Sequence, residues 1–119
     1  MSIEAGLVDV LAVVCPRVYP VLAPIGAQHP HVTFQNIGGR PLYSLAKVAG
    51  DKRLVRFYIN VWSLTMAEAL SLMRQIEAAL VASTNFIARV ESEPISEVDA
   101  DVEPWAYRCQ QEFTVIAQR

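Results

Sequence analysis

Two stretches of the chain alternate strictly between apolar and polar residues, and they set most of what it can fold into. Residues 54–63 place Val55, Phe57, Ile59 and Val61 on one face. Leu54, Arg56, Tyr58, Asn60 and Trp62 fall on the other. Residues 105–117 repeat the pattern, with Trp105, Tyr107, Cys109, Phe113 and Val115 against Arg108, Gln110, Glu112 and Thr114. A period of two sustained this long fits a strand and no helix. Strands with one apolar and one wetted face belong to antiparallel sheets, and they need an apolar layer over the inner face.

Two segments can supply that layer. Thr65-Met66-Ala67-Glu68 has the form of a capping box, and the helix it opens is expected to run to about residue 82. Its inner stripe is Ala69, Leu72/Met73, Ile76 and Ala79/Leu80. Residues 3–14 read as a second amphipathic helix through Ile3, Leu7, Val10/Leu11 and Val14, with Ser2 able to cap it and Pro16 ending it. Residues 16–31 hold four prolines, which leave only Arg17-Val18-Tyr19 as an extended piece. Residues 31–37 alternate as a strand that Gly38-Gly39 is expected to break, and Phe86–Glu91 reads as a further short strand. The order predicts an α+β fold: a mainly antiparallel sheet of four to five strands, with two helices packed on one face. The expectation is a single domain over 1–119.

Composition narrows the functional classes. The chain carries 10 basic and 12 acidic residues, and its calculated pI is about 5.6. A protein that grips nucleic acid by its phosphates would carry a basic excess. The longest apolar run, Ala5 to Cys15, contains Asp9 and falls well short of the roughly twenty residues needed to cross a bilayer. With Glu4 ahead of it, that run does not read as a signal peptide, so a reducing cytoplasm is the default expectation. Cys15 and Cys109 are then expected as two free, buried thiols.

Catalytic and ligand signatures are sparse. His29-Pro30-His31 has ligand-like spacing, but no third ligand is near in sequence. Gly38-Gly39 lacks the frame of a phosphate loop. Arg56, Tyr58 and Trp62 share a strand face that suits base stacking, or an interface, where Arg, Tyr and Trp are enriched. The residues alone reach an α+β domain with an assembly surface and no visible active site.

The ordered series of segments resembles a known family. A short N-terminal helix leads to Arg17-Val18-Tyr19-Pro20, then Ala23-Pro24, then Pro30-His31-Val32-Thr33-Phe34-Gln35. After a long connection come Phe57-Tyr58-Ile59-Asn60-Val61-Trp62-Ser63, Ala67-Glu68-Ala69 and Ile76-Glu77-Ala78-Ala79-Leu80. Across about residues 5–118 this is similar to the small tail-completion, or tail-terminator, proteins of long-tailed bacteriophages and prophages. The resemblance implies a structural protein and not an enzyme, with no cofactor and no catalytic or metal-binding residues. It implies a ring, typically a hexamer, that caps the tail tube, ends its polymerisation and offers the head–tail joining surface. The implied partners are further copies of the chain, the tail-tube protein and a neck or connector protein. DNA would pass through the channel without specific binding, and no membrane is involved. Assembly would take place in the host cytoplasm, and the finished protein would sit in the virion at the tail–neck junction. Two other readings stand beside this one: another head–tail or neck component of related fold, and a small enzyme or ligand-binding module unrelated to phage.

No motif fixes the interface, so residue type and expected exposure nominate it. The fifteen residues from Gly38 to Lys52 are too long for a simple hairpin loop and carry apolar members, which suggests a segment ordered by a partner. Leu42, Tyr43 and Leu45 are its candidates. Residues 91–103 hold six acidic and no basic residues, which leaves the rest of the chain at +4. Three arrangements are open for this stretch: against a neighbour's basic strand end, along the channel, or as a solvated loop. The candidates for the first are Lys52, Arg53 and Arg56 on one side and Glu97, Asp99 and Asp101 on the other.

Overall fold

The computed structural model describes residues 3–43 and 49–118. The chain order is α1 (Ile3–Val14), β1 (Val18–Pro20), β2 (His31–Tyr43), β3 (Ala49–Ser63), α2 (Met66–Ala82), β4 (Ile87–Val90), β5 (Ile95–Asp99) and β6 (Ala106–Gln118). The architecture is α+β, with two helices and a six-stranded, mostly antiparallel sheet, one or two strands more than the pattern predicts. The sheet order is β1-β2-β3-β6-β4. β5 continues the β4 edge, pairing with the first half of β6 while β4 pairs with the second half.

Both helices cover one face. On the sheet side the core is Val32 and Phe34 of β2, Val55, Phe57, Ile59 and Val61 of β3, and Cys109, Phe113 and Val115 of β6. Phe57 and Phe113 lie directly opposite each other in the register, both fully buried. From α2 come Ala69, Met73, Ile76 and Leu80, and from α1 come Ile3, Leu7 and Leu11. Leu72 is only half-buried at the margin of this stripe. Cys15 and Cys109 are free and buried, and burial pushes the Cys109 thiol pKa up.

The two local motifs of the sequence have structural reasons. Thr65 caps α2 by accepting from the Glu68 N–H at 3.2 Å. The return half of the box is altered: the Ser63 hydroxyl donates to the Glu68 carboxylate and accepts from the Thr65 N–H at 3.3 Å. Ser63 thus ties the end of β3 to the first turn of α2. In the Arg17-Val18-Tyr19-Pro20 element, the Arg17 guanidinium donates to the Pro30 carbonyl at 2.9 Å. Val18 then pairs parallel with Val32, which fixes where β2 begins.

Three expectations need correction. Gly38-Gly39 does not break the strand: β2 runs on to Tyr43 through a register shift between Asn36 and Gly38. A Cβ at Gly39 would collide with the Leu54 carbonyl oxygen and come within 2.9 Å of the Val55 Cα. Gly39 therefore permits a close backbone approach and Gly38 a φ of 129° at the bulge, a second use of strand glycine besides termination. It follows that the supposed loop from Gly38 to Lys52 is mainly paired backbone, with Gly39↔Val55, Arg40↔Leu54, Pro41↔Arg53 and Tyr43↔Ala49. Residues 44–48, including Leu45, lie outside the described residues, as does the proposed Ser2 cap. Thirdly, the acidic stretch is not all loop, because Ile95–Asp99 is an edge strand.

Candidate functional site

The helix-free face of the sheet carries the most developed polar surface among the described residues. At one end of it, neighbouring strands pair His31↔Trp62, Thr33↔Asn60, Trp62↔Arg108 and Asn60↔Gln110. These six side chains form the floor of a groove of about 630 Å³. One wall is the loop with Val21, Leu22 and Pro24, and the other holds Asp99, Val102, Glu103 and Pro104. Both walls present apolar groups to solvent: Leu22 is 81% exposed and Val102 43%. Val21 holds a φ of 63°, a left-handed conformation that β-branched residues avoid.

A guanidinium and three rings form a ladder across four strands, from Arg108 in the floor to Tyr19 beyond it. Arg108 lies over the Trp62 ring, 5.6 Å from its centroid. Trp62 stacks with His31 at 6.2 Å and 18°, and Tyr19 meets His31 edge-on at 6.0 Å. The Trp62 indole donates to the Thr33 hydroxyl at 3.4 Å. The second Arg108 contact is its ion pair with Glu97, directly opposite on β5. Burial lowers the His31 pKa, assisted by the nearby charges of His29 and Arg17 and opposed by the hydrogen bond to the Gln28 carbonyl. The His31 Nδ1 atom is 3.1 Å from that oxygen, so the neutral ring donates there. Asn60 Oδ1 is buried with no hydrogen-bond partner among the described residues.

The nominated residues fall into three places. Leu42, Tyr43, Lys52 and Arg53 lie on the far part of the β2–β3 hairpin, an arm in which β2 and β3 pair up to and beyond the end of β6. Arg56 sits mid-sheet and is bound to Glu112 at 2.9 Å, and Arg53 is 3.9 Å from Glu4. Glu97 and Asp99 lie on β5 beside the groove, and Asp101 follows, its N–H donating to the Asp99 carboxylate at 3.1 Å. Lys52 and Arg53 are therefore at the opposite end from Glu97, Asp99 and Asp101 in a molecule 56 Å long and 25 Å wide, with Arg56 between them. His29 and His31 have ring centroids 4.9 Å apart, and no group of three or more metal-ligating side chains occurs among the described residues. The pattern found the right strand faces but missed the groove, because its floor depends on register between four strands.

The site is thus an open groove on a sheet face, with apolar rims and carboxylates in one wall. The family comparison gives the class of protein that carries it. Residues 5–116 match the model of the tail completion protein gp17 family, and the chain belongs to that family of phage tail proteins. None of the curated proteins matches it. The protein is accordingly a structural, virion-associated component of a bacteriophage or prophage tail.

Proposed function

We propose that this protein forms a ring, in the simplest case a hexamer, on the last ring of the tail tube. There it ends tube polymerisation and presents the surface to which the neck or connector of the DNA-filled head attaches. The observation that carries this reading is the family match over nearly the whole chain. The charge layout supports it: exposed Arg40 and Lys52 at one end and Asp99, Asp101 and Glu103 at the other suit the head-to-tail contacts from which rings are built. The proposed contact residues are Leu42, Tyr43, Leu45, Lys52, Arg53 and Arg56 toward one neighbour, and Glu97, Asp99 and Asp101 toward the other. The partners are then further copies, the tail-tube protein and the neck protein, at the tail–neck junction. DNA passes through without specific contacts, consistent with the net charge of −2.

Deleting the gene and imaging the tails by electron microscopy tests this. Overlong or unstoppered tubes are expected. Tails of normal length that fail to join heads would instead favour a neck component of related fold. Light scattering of the purified protein over a range of concentrations reads the ring directly.

A further inference from the structure

Resting on the ring reading, we infer that the basic β2–β3 arm of one subunit seats in the helix-free groove of the next. The groove asks for a particular visitor. Its outer wall carries Asp99 and Glu103, with Asp101 between them, and no ion pair to Asp101 or Glu103 occurs among the described residues. In its floor, Asn60 is 9% exposed and its buried Oδ1 has no partner among the described residues, so a visitor reaches it only if the side chain turns outward. A buried acceptor left without a donor is costly, and lysine and arginine are donors only. The apolar wall residues Leu22 and Val102 ask further for aliphatic surface.

The arm supplies these groups. Arg40 and Lys52 are exposed, and neither has an ion-pair partner among the described side chains. Of the other described cations nearby, Arg53 lies 3.9 Å from Glu4 and Arg56 pairs with Glu112. Leu42 adds aliphatic surface. The arm cannot reach its own groove. Nine residues of β3 separate Arg53 from Trp62, about 30 Å at 3.4 Å per residue of paired strand. The occupant is therefore a second copy, and a contact using different surfaces on the two partners repeats from subunit to subunit until it closes.

Two charge-reversal variants test this by light scattering and analytical ultracentrifugation. One is Arg40→Glu with Lys52→Glu in the arm, and the other is Asp101→Lys with Glu103→Lys at the groove. Each alone should need about tenfold more protein, or greater, to assemble, because matched charges become like charges. An equimolar mixture should recover assembly: the acidic arm then meets the reversed groove, and the native arm meets the native groove, in an alternating ring. Recovery also excludes misfolding as the cause of loss. Wild-type assembly should weaken as salt rises, since exposed pairs are screened over about 8 Å at physiological ionic strength. A channel lining of acidic side chains would show the opposite salt response.

If either variant alone assembles like wild type, or if the mixture fails to assemble, this inference is overturned while the ring stands. Loss of assembly in the groove variant but not in the arm variant assigns the groove to another segment of the neighbouring copy, which also overturns it. A wild-type chain that stays monomeric at all concentrations and on tail tubes overturns the ring reading itself.

Discussion

Replacing Ile76 by alanine removes three carbons from a side chain that is fully buried between α2 and the sheet. At about 0.8 kcal/mol for each buried carbon, the transfer contribution is about 2.4 kcal/mol. The space left behind adds to this, because a close-packed site collapses only in part, and such changes fall at about 2–5 kcal/mol. We expect about 3.5 kcal/mol here, since Ile76 is surrounded by a cluster that includes Met73, Leu80 and Phe57. The half-buried Leu72 should cost less, about 1–2 kcal/mol, because its cavity opens to solvent. Urea denaturation at one fixed protein concentration reads both. With a slope of about 1.5 kcal/mol per molar, Ile76→Ala should lower the midpoint by about 2 M and leave the slope unchanged. A loss below about 1 kcal/mol at Ile76, or a larger loss at Leu72 than at Ile76, would refute the packing of this helix on the sheet.

Other outcomes follow from single contacts. Thr65→Ala removes the oxygen that accepts from the Glu68 N–H and should cost about 1 kcal/mol in thermal or chemical unfolding. Gly39→Ala forces a Cβ into the β3 backbone, so hydrogen exchange at residues 39–43 and 53–55 should speed up while the α2 amides stay as protected as before. In wild-type monomer the paired arm amides at Gly39 and Val55 should be protected, unlike those of an unstructured loop. His31 has a folded-state pKa below its ordinary 6.5, so its contribution is complete above that value. Stability is then lost as pH falls from about 6.5 toward the lower folded value, where the unfolded chain binds the proton first. His31→Gln should flatten that part of the pH profile, as measured by melting between pH 7.5 and 5, and an unchanged profile would contradict the assignment.

The central strands and both helices were legible because their periods are unambiguous. Val55 to Val61 alternates at two, and Ala69 to Leu80 recurs at three and four, so each face followed from position alone. Gly38-Gly39 misled because glycine in a strand has two uses, and only the approach of Leu54 and Val55 distinguishes them. The edge strand inside the acidic stretch is hidden because six carboxylates in thirteen residues read equally well as a loop. At a sheet edge, charge is also a way to discourage unwanted strand pairing, and Glu97 finds a partner directly across the ladder in Arg108. Gln111 hides a related lesson. It lies on the inner face between Cys109 and Phe113, and it is buried because its amide donates to the Ser92 carbonyl at 2.8 Å in the gap between β4 and β5. A polar residue on an apolar face marked the break in the edge strand, yet no local pattern says which carbonyl it serves.

The groove was out of reach for a different reason. Asn60, Trp62, Arg108 and Gln110 were each placed on the outward face by alternation, but alternation says nothing about which of them stand opposite. Only the pairing of Trp62 with Arg108 on one side and His31 on the other makes a floor. The same register carries the basic arm to the far end of the sheet, so the groove and the arm are two consequences of one alignment. A one-residue slip would turn these side chains into the core and the core residues outward. The hydrophobic face that stabilises the fold therefore also fixes the spacing between groove and arm on which the proposed head-to-tail contact depends.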